Sequence, residues 1–154
     1  MKKIYATLLA GLAAALLFSS CNQEDAPAVL TGEWRGIIRD VRQFSANAPV
    51  FESSKPAQLI FREDGTGRLS PLPGAGGSLL LERDFTYEHD HAAEELLIHY
   101  APAAIDTIVL AGGTERYAVT RFTARALEVN FMRVLLDSNL QPAGKWEEYW
   151  EFSR

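Results

Sequence analysis

From Gly32 onward the chain is written in short runs where apolar and polar residues alternate, with no convincing amphipathic helix among them. Successive side chains on a strand point to opposite faces, so such runs define both the element and the face it buries. The pattern is cleanest near the C-terminus. Leu127, Val129, Phe131, Arg133 and Leu135 share one face of a strand, and Trp146, Glu148, Trp150, Phe152 and Arg154 share one face of the last. Strands are expected over 32–42, 57–62, 66–70, 79–88, 95–100, 105–111, 115–122, 126–135 and 145–153. Turn residues separate them. Asp64-Gly65 closes a hairpin between Leu59-Ile60-Phe61 and Leu69, and Gly112-Gly113-Thr114 is expected to close another. The PLPGAGGS stretch over 71–78 is a loop, and 137–144 forms the last hairpin loop. Short strands in this number, without helices, specify an all-β sandwich or barrel.

Two charges interrupt faces that should be buried, Arg133 and Glu148. A charge buried alone is costly, so each needs a partner, a bound ligand or water, or a twist that carries it to solvent.

The first residues do not follow the strand pattern. Lys2 and Lys3 precede an apolar run from Ile4 to Phe18, and Ser19-Ser20-Cys21 closes it. A basic head, an apolar stretch too short for a comfortable membrane span, and small residues at the end describe a cleaved secretory signal over 1–20. Leu17-Phe18-Ser19-Ser20-Cys21 resembles the bacterial lipobox, which implies that Cys21, the one cysteine of the chain, is diacylated and becomes the first mature residue. Several acyl chains on one residue hold a protein to a bilayer almost permanently. Residues 21–29 then form the lipidated cysteine and a polar tether. Asn22 is not the aspartate that favours inner-membrane retention, so the expected location is the outer membrane, on its periplasmic or cell-surface face. Glu24-Asp25 resembles the surface-export signal of lipoproteins of the Bacteroidetes group, although a solvated linker would read the same way.

Removal of the signal leaves 134 of 154 residues, enough for one domain over 30–154. It also takes two lysines, moving the net charge from −5 to about −7. An acidic domain repels phosphate backbones, so nucleic acid is not an expected partner. With Cys21 lipidated no thiol remains, and the core alone must hold the fold.

Leu30-Thr31-Gly32-Glu33-Trp34 opens the first strand with a G-x-W signature, and Glu148 to Arg154 closes the last with an aromatic run ending in arginine. This combination resembles the lipocalin-like domain of small bacterial lipoproteins, part of the wider calycin barrel group. The FREDGTG segment over 61–67 also resembles an early hairpin of such proteins. The resemblance implies an antiparallel up-and-down barrel of eight or nine strands, with Trp34 plugging its closed end and Arg154 packed across the indole. A barrel of this size encloses one small ligand or is filled by its own side chains.

Signs of catalysis are lacking. The sequence has no G-x-S-x-G elbow, no P-loop and no dinucleotide fingerprint. Gly74-Ala75-Gly76-Gly77 has neither a following lysine nor a helix to present amides to phosphate. Glu94-Glu95 and Glu147-Glu148 are neighbours whose side chains point to opposite faces. All three histidines, His89, His91 and His99, lie close together beside Glu88 and Asp90, a set that reads as a metal site or as a polar turn with titrating imidazoles. Arg35, Arg39 and Arg42 on the first strand read as outward charges. No cofactor or metal is called for. The expectation is a non-catalytic binding protein whose mouth takes a small apolar or amphipathic molecule. Phe61, Ile98, Tyr100, Val119, Phe131 and Trp150 would form its walls, and Arg133 or Glu148 would orient a polar end. The alternative is a filled barrel that acts as an interaction or inhibitor module toward an outer-membrane protein.

Overall fold

A computed structural model describes residues 28–154 apart from 46, 75–79, 106–107 and 111. The signal segment 1–20, Cys21 and the tether as far as Pro27 lie outside the described residues. Ten strands form: β1 (Gly32–Gln43), β2 (Phe51–Phe61), β3 (Thr66–Pro71), β4 (Arg83–Asp90), β5 (Glu95–Tyr100), β6 (Ala103–Ile105), β7 (Ile108–Leu110), β8 (Gly113–Phe122), β9 (Ala126–Leu136) and β10 (Pro142–Ser153). Eight of them close an antiparallel up-and-down barrel in the order β1-β10-β9-β8-β5-β4-β3-β2, and β6 and β7 form a separate two-stranded hairpin.

The period-two pattern survives almost unchanged as an inside–outside alternation. Register places inner side chains on shared rungs across β9, β10 and β1. Arg133, Trp146 and Arg42 form one rung, Phe131, Glu148 and Asp40 the next, and Val129, Trp150 and Ile38 the third. Deeper in, the interior is filled. Phe61 packs edge-on against Phe85 and Tyr87 at 5.7 and 4.7 Å, and Tyr117 lies 4.6 Å from Trp150. Aromatic pairs at such angles add roughly 0.5–1.5 kcal/mol each beyond the area they bury.

One end of the barrel is closed around Trp34, which is fully buried. Its indole nitrogen donates to the Leu30 carbonyl at 2.8 Å, and Phe122 packs beside it at 6.4 Å. The Arg154 guanidinium stands 4.1 Å above the Trp34 ring. It donates to the carbonyls of Ala124 at 2.8 Å, Thr31 at 2.9 Å and Val29. One side chain thus ties the last residue to the entry segment and to the β8–β9 turn, while its cationic face covers the plug. Gly32 is needed beside it, because its φ of 124° excludes most side chains and an added Cβ would come within 3.1 Å of the guanidinium.

The expected boundaries change in five places. β10 begins at Pro142 rather than 145, so the last hairpin loop is shorter than the expected 137–144. β2 begins at Phe51 rather than 57, since Phe51–Pro56 pair with the second half of β1. β4 begins at Arg83 rather than 79. The segment expected as a strand over 105–111 is divided between β6 and β7 and pairs only with itself, so the barrel has eight strands and not nine. Gly113 and Thr114, expected in a hairpin turn, instead start β8 and pair with Tyr100 and His99.

One seam is incomplete. The β8–β9 ladder ends at Ala118 and Asn130, so among the described residues Phe131–Leu136 pair with β10 alone. Above that point side chains span the gap, with the Tyr117 and Phe131 rings 5.5 Å apart.

Removing the plug should be expensive. Trp34→Ala is expected to cost about 3–5 kcal/mol in urea denaturation. Arg154→Lys should lower the melting temperature although it conserves charge, because an ammonium cannot reproduce the three-carbonyl fork over an indole.

The open mouth as a candidate ligand site

At the end opposite the Trp34 plug the described residues surround a cavity, and there the inner face changes from aromatic to charged. On β1, the parity that buries Trp34 and Ile38 also brings in Asp40 and Arg42. Arg42 is therefore not an outward charge like Arg35 and Arg39; it sits an even number of residues from the plug and so faces inward. Asp40 is only 4% exposed. It accepts a bidentate pair from Arg42 at 2.9 and 2.7 Å and a third bond from Lys55 at 3.0 Å. Burial pushes its carboxyl upward, but these two cations outweigh burial and hold it below the usual range.

A second acidic group lies across the mouth. Glu148 accepts from the Trp150 indole at 2.6 Å and lies 3.1 Å from the Tyr117 hydroxyl, which is also 2.8 Å from Glu115. A hydroxyl carries one proton. It can donate to only one of the two carboxyls, so both contacts are hydrogen bonds only when the other carboxyl carries a proton of its own. Glu148 is the group placed to hold it. Burial pushes its carboxyl up, and the negative charges of Glu115 and Asp40 push it further, against the pull of the bonds from Trp150 and Tyr117. The hydroxyls of Tyr100 and Tyr117 are themselves driven far above the ordinary phenol range by burial, so both remain neutral.

The cations rest on aromatic faces. Arg42 stands 4.6 Å over Trp146, Arg83 3.9 Å over Tyr100, and Arg133 5.2 and 5.5 Å from Phe131 and Trp146. Arg133 is exposed, and among the described residues no carboxylate lies within ion-pair distance of it. The indole nitrogen of Trp146 is buried with no hydrogen-bond partner. A buried donor left without an acceptor costs about 1–3 kcal/mol. Between these groups lies a cavity of about 250 Å³, lined by Ile38, Leu69, Leu80 and Tyr100 beside Arg42, Lys55, Arg83, Glu115, Trp146 and Glu148. A larger groove of about 670 Å³ runs along the outer wall between β3 and β5, where Arg68 and Asp84 already pair at 2.8 Å; it does not enter the barrel.

The candidate residues separate by depth. Tyr100 and Glu148 line the mouth cavity; Arg133 does not line it but stands over Trp146, which does. Phe131 and Trp150 lie among the buried core residues with Phe61 and Ile98, and Val119 packs against that core. Sequence reasoning missed Asp40, Lys55, Arg83, Glu115, Tyr117 and Trp146 as members of the site. For Asp40 the signal was present in its parity with Trp34 and Ile38. For Trp146 it was present in its parity with Glu148 and Trp150, and for the others the needed information is strand pairing.

The histidines divide. His89 and His91 stack at 4.0 Å near Phe122 at the closed end, whereas His99 faces outward and shares a 2.8 Å hydrogen bond with Thr114. Among the described residues no three metal-ligating side chains gather in one place. Comparison with family models, curated proteins and solved structures finds no match.

Glu148 should leave a pH signature. A carboxyl raised in the folded state stabilises it at low pH and loses that contribution as pH climbs from the unfolded value through the folded one. Glu148→Gln keeps the Oε1 acceptor that meets Trp150 and Tyr117 and does not ionise. The variant and the parent should melt together near pH 4, and the variant should melt progressively higher than the parent toward pH 8.

Proposed function

We propose that this chain is a lipocalin-like lipoprotein of the outer membrane, anchored through lipid on Cys21, whose barrel mouth binds a small amphipathic molecule without catalysing its conversion. The observation that carries the reading is the cavity of about 250 Å³ at the open end, where apolar side chains and stacked arginines converge on one space. Ligand pockets are concave, mainly apolar, and carry a few polar groups that orient the guest. At about 250 Å³ this one lies just below the usual range for drug-sized ligands, which points to a small molecule or to one end of a longer amphiphile. The filled lower barrel forms the floor on which such a guest would rest.

The anchor reading rests on the basic–apolar–small order of residues 1–21. The entry segment from Val29 to Thr31 is pinned at the closed end by Arg154, so the tether would leave the barrel opposite its mouth.

A second reading is favoured by a separate observation. Phe44, Val50 and Phe51 in and beside the β1–β2 loop are each more than half exposed, and Leu136 and Leu140 in and beside the β9–β10 loop are 55% and 75% exposed. All five lie at the mouth end. Apolar tips of this kind suit a protein-interaction or inhibitor module at the outer membrane, with the mouth as part of the contact.

Native mass spectrometry of gently released protein separates the two. A bound small molecule that is lost on unfolding is the expected result; a clean mass with no uptake of added fatty acids or apolar dyes would favour the interaction module. Cys21→Ser should abolish both the lipid mass on the N-terminal peptide and sedimentation with membranes. Retention of both would overturn the anchor.

A further inference from the structure

Charge at the mouth is sorted by depth. Arg42, Trp146 and Arg133 share the outer rung, with both guanidinium groups on the face of the same indole. Arg42 is held in place from behind by Asp40, while Arg133 has no carboxylate partner among the described residues. The N–H of that indole is buried and lacks an acceptor. Two guanidiniums on one indole whose N–H lacks an acceptor are donors suited to a small anion with oxygen acceptors.

The next rung inward has the opposite character. Glu148 sits there, joined through the single proton of Tyr117 to Glu115, and both carboxyls face the same cavity as Trp146. Their existing partners, an indole and a phenol, are neutral. An ammonium placed against this pair would bring several N–H donors to two carboxyls that have one hydroxyl between them, and would favour the ionised form of Glu148. Residues two apart on a strand are separated by about 7 Å, which sets the distance between the two receptors. Ile38, Leu69 and Leu80 line the remaining wall.

We propose that the mouth is built for a small zwitterion of the ω-amino acid type, its carboxylate held by Arg42, Arg133 and the Trp146 N–H, its ammonium by Glu148 and Glu115, and a short alkyl frame between them. This deepens the reading of the mouth as a ligand site and rests on it. The apolar frame alone would not select such a guest. The two ends, set one rung apart, do.

A matched trio of probes tests the assignment by calorimetry on the purified protein at neutral pH: 6-aminohexanoate, hexanoate and hexylamine, which share a frame and differ only in their ends. The expected result is binding of 6-aminohexanoate at least tenfold tighter than of either relative, and tighter than leucine, whose charges are adjacent. Glu148→Gln should weaken 6-aminohexanoate and hexylamine about tenfold while leaving hexanoate unchanged. Arg133→Met should weaken 6-aminohexanoate and hexanoate and spare hexylamine. Equal or tighter binding of hexanoate or of hexylamine would overturn the zwitterion and leave the mouth a ligand site of another class. Failure of all the probes at 10 mM would overturn the zwitterion as well. If that failure came with an empty native mass spectrum, the ligand reading would fall with it. Should Arg133→Met fold poorly, Arg133→Lys serves in its place, since it keeps the charge and loses the planar stacking and the fork.

Discussion

Closure between β1 and β10 is the constraint on which everything else in this protein depends. β1 and β10 each pair with a sequence neighbour and with each other across the length of the chain, β1 along nearly its whole length. The approach is close. At Gly36 an added Cβ would lie 2.0 Å from the Glu151 carbonyl oxygen, so the strands meet as they do only because no side chain intervenes there. Once this ladder forms, no edge remains there, and the inner parity of β1 is locked to that of β10 and β9. A slip of β1 by one residue would expel Trp34 and Ile38 and bring Arg35 and Arg39 inside.

The same locked register explains why the interior is dry at one end and charged at the other. Toward the closed end the rungs carry Trp34, Phe61, Leu127 and Phe152, which fill the section without help from a guest. Two rungs short of the mouth the filling stops, and Asp40 and Glu148 appear side by side across β1 and β10. Two acids at paired positions would repel if both were ionised and unassisted. The fold resolves the conflict asymmetrically: Asp40 receives two cations, and Glu148 receives neutral donors and an upward-shifted carboxyl. Neighbouring carboxyls in one cavity thus acquire different chemical characters from their surroundings alone.

Much of this was legible beforehand. The all-β class followed from alternation and turn residues, the choice of a barrel over a sandwich came from the family resemblance, and Arg133 and Glu148 were visible because each breaks an otherwise apolar face. The misreadings have physical causes. Glu52-Ser53-Ser54-Lys55-Pro56 does not look like a strand, since most of it is exposed and one residue lacks an amide proton; it is ordered by β1 rather than by its own composition. The apolar run at 105–111 has the composition of a barrel strand, yet Gly113 and Thr114 take up the pairing with β5 and leave it outside the ladder. Trp146 shares the parity of Glu148 and Trp150, but its membership in the mouth, like that of Glu115, depends on which strand lies beside which. Tertiary pairing of that kind is not encoded in any local window.

The unfinished β8–β9 seam gives the barrel two mechanical regimes. Below Ala118 and Asn130 the wall is backbone ladder, stiff and insensitive to side-chain identity. Above them cohesion across the slit passes through the Tyr117 hydroxyl and its stack on Phe131. The upper lip is therefore compliant: β9 can flex outward as a cantilever on β10 without breaking an amide bond to β8. Aperture width becomes a property of a few side chains, free to drift in sequence while the cup beneath them stays rigid.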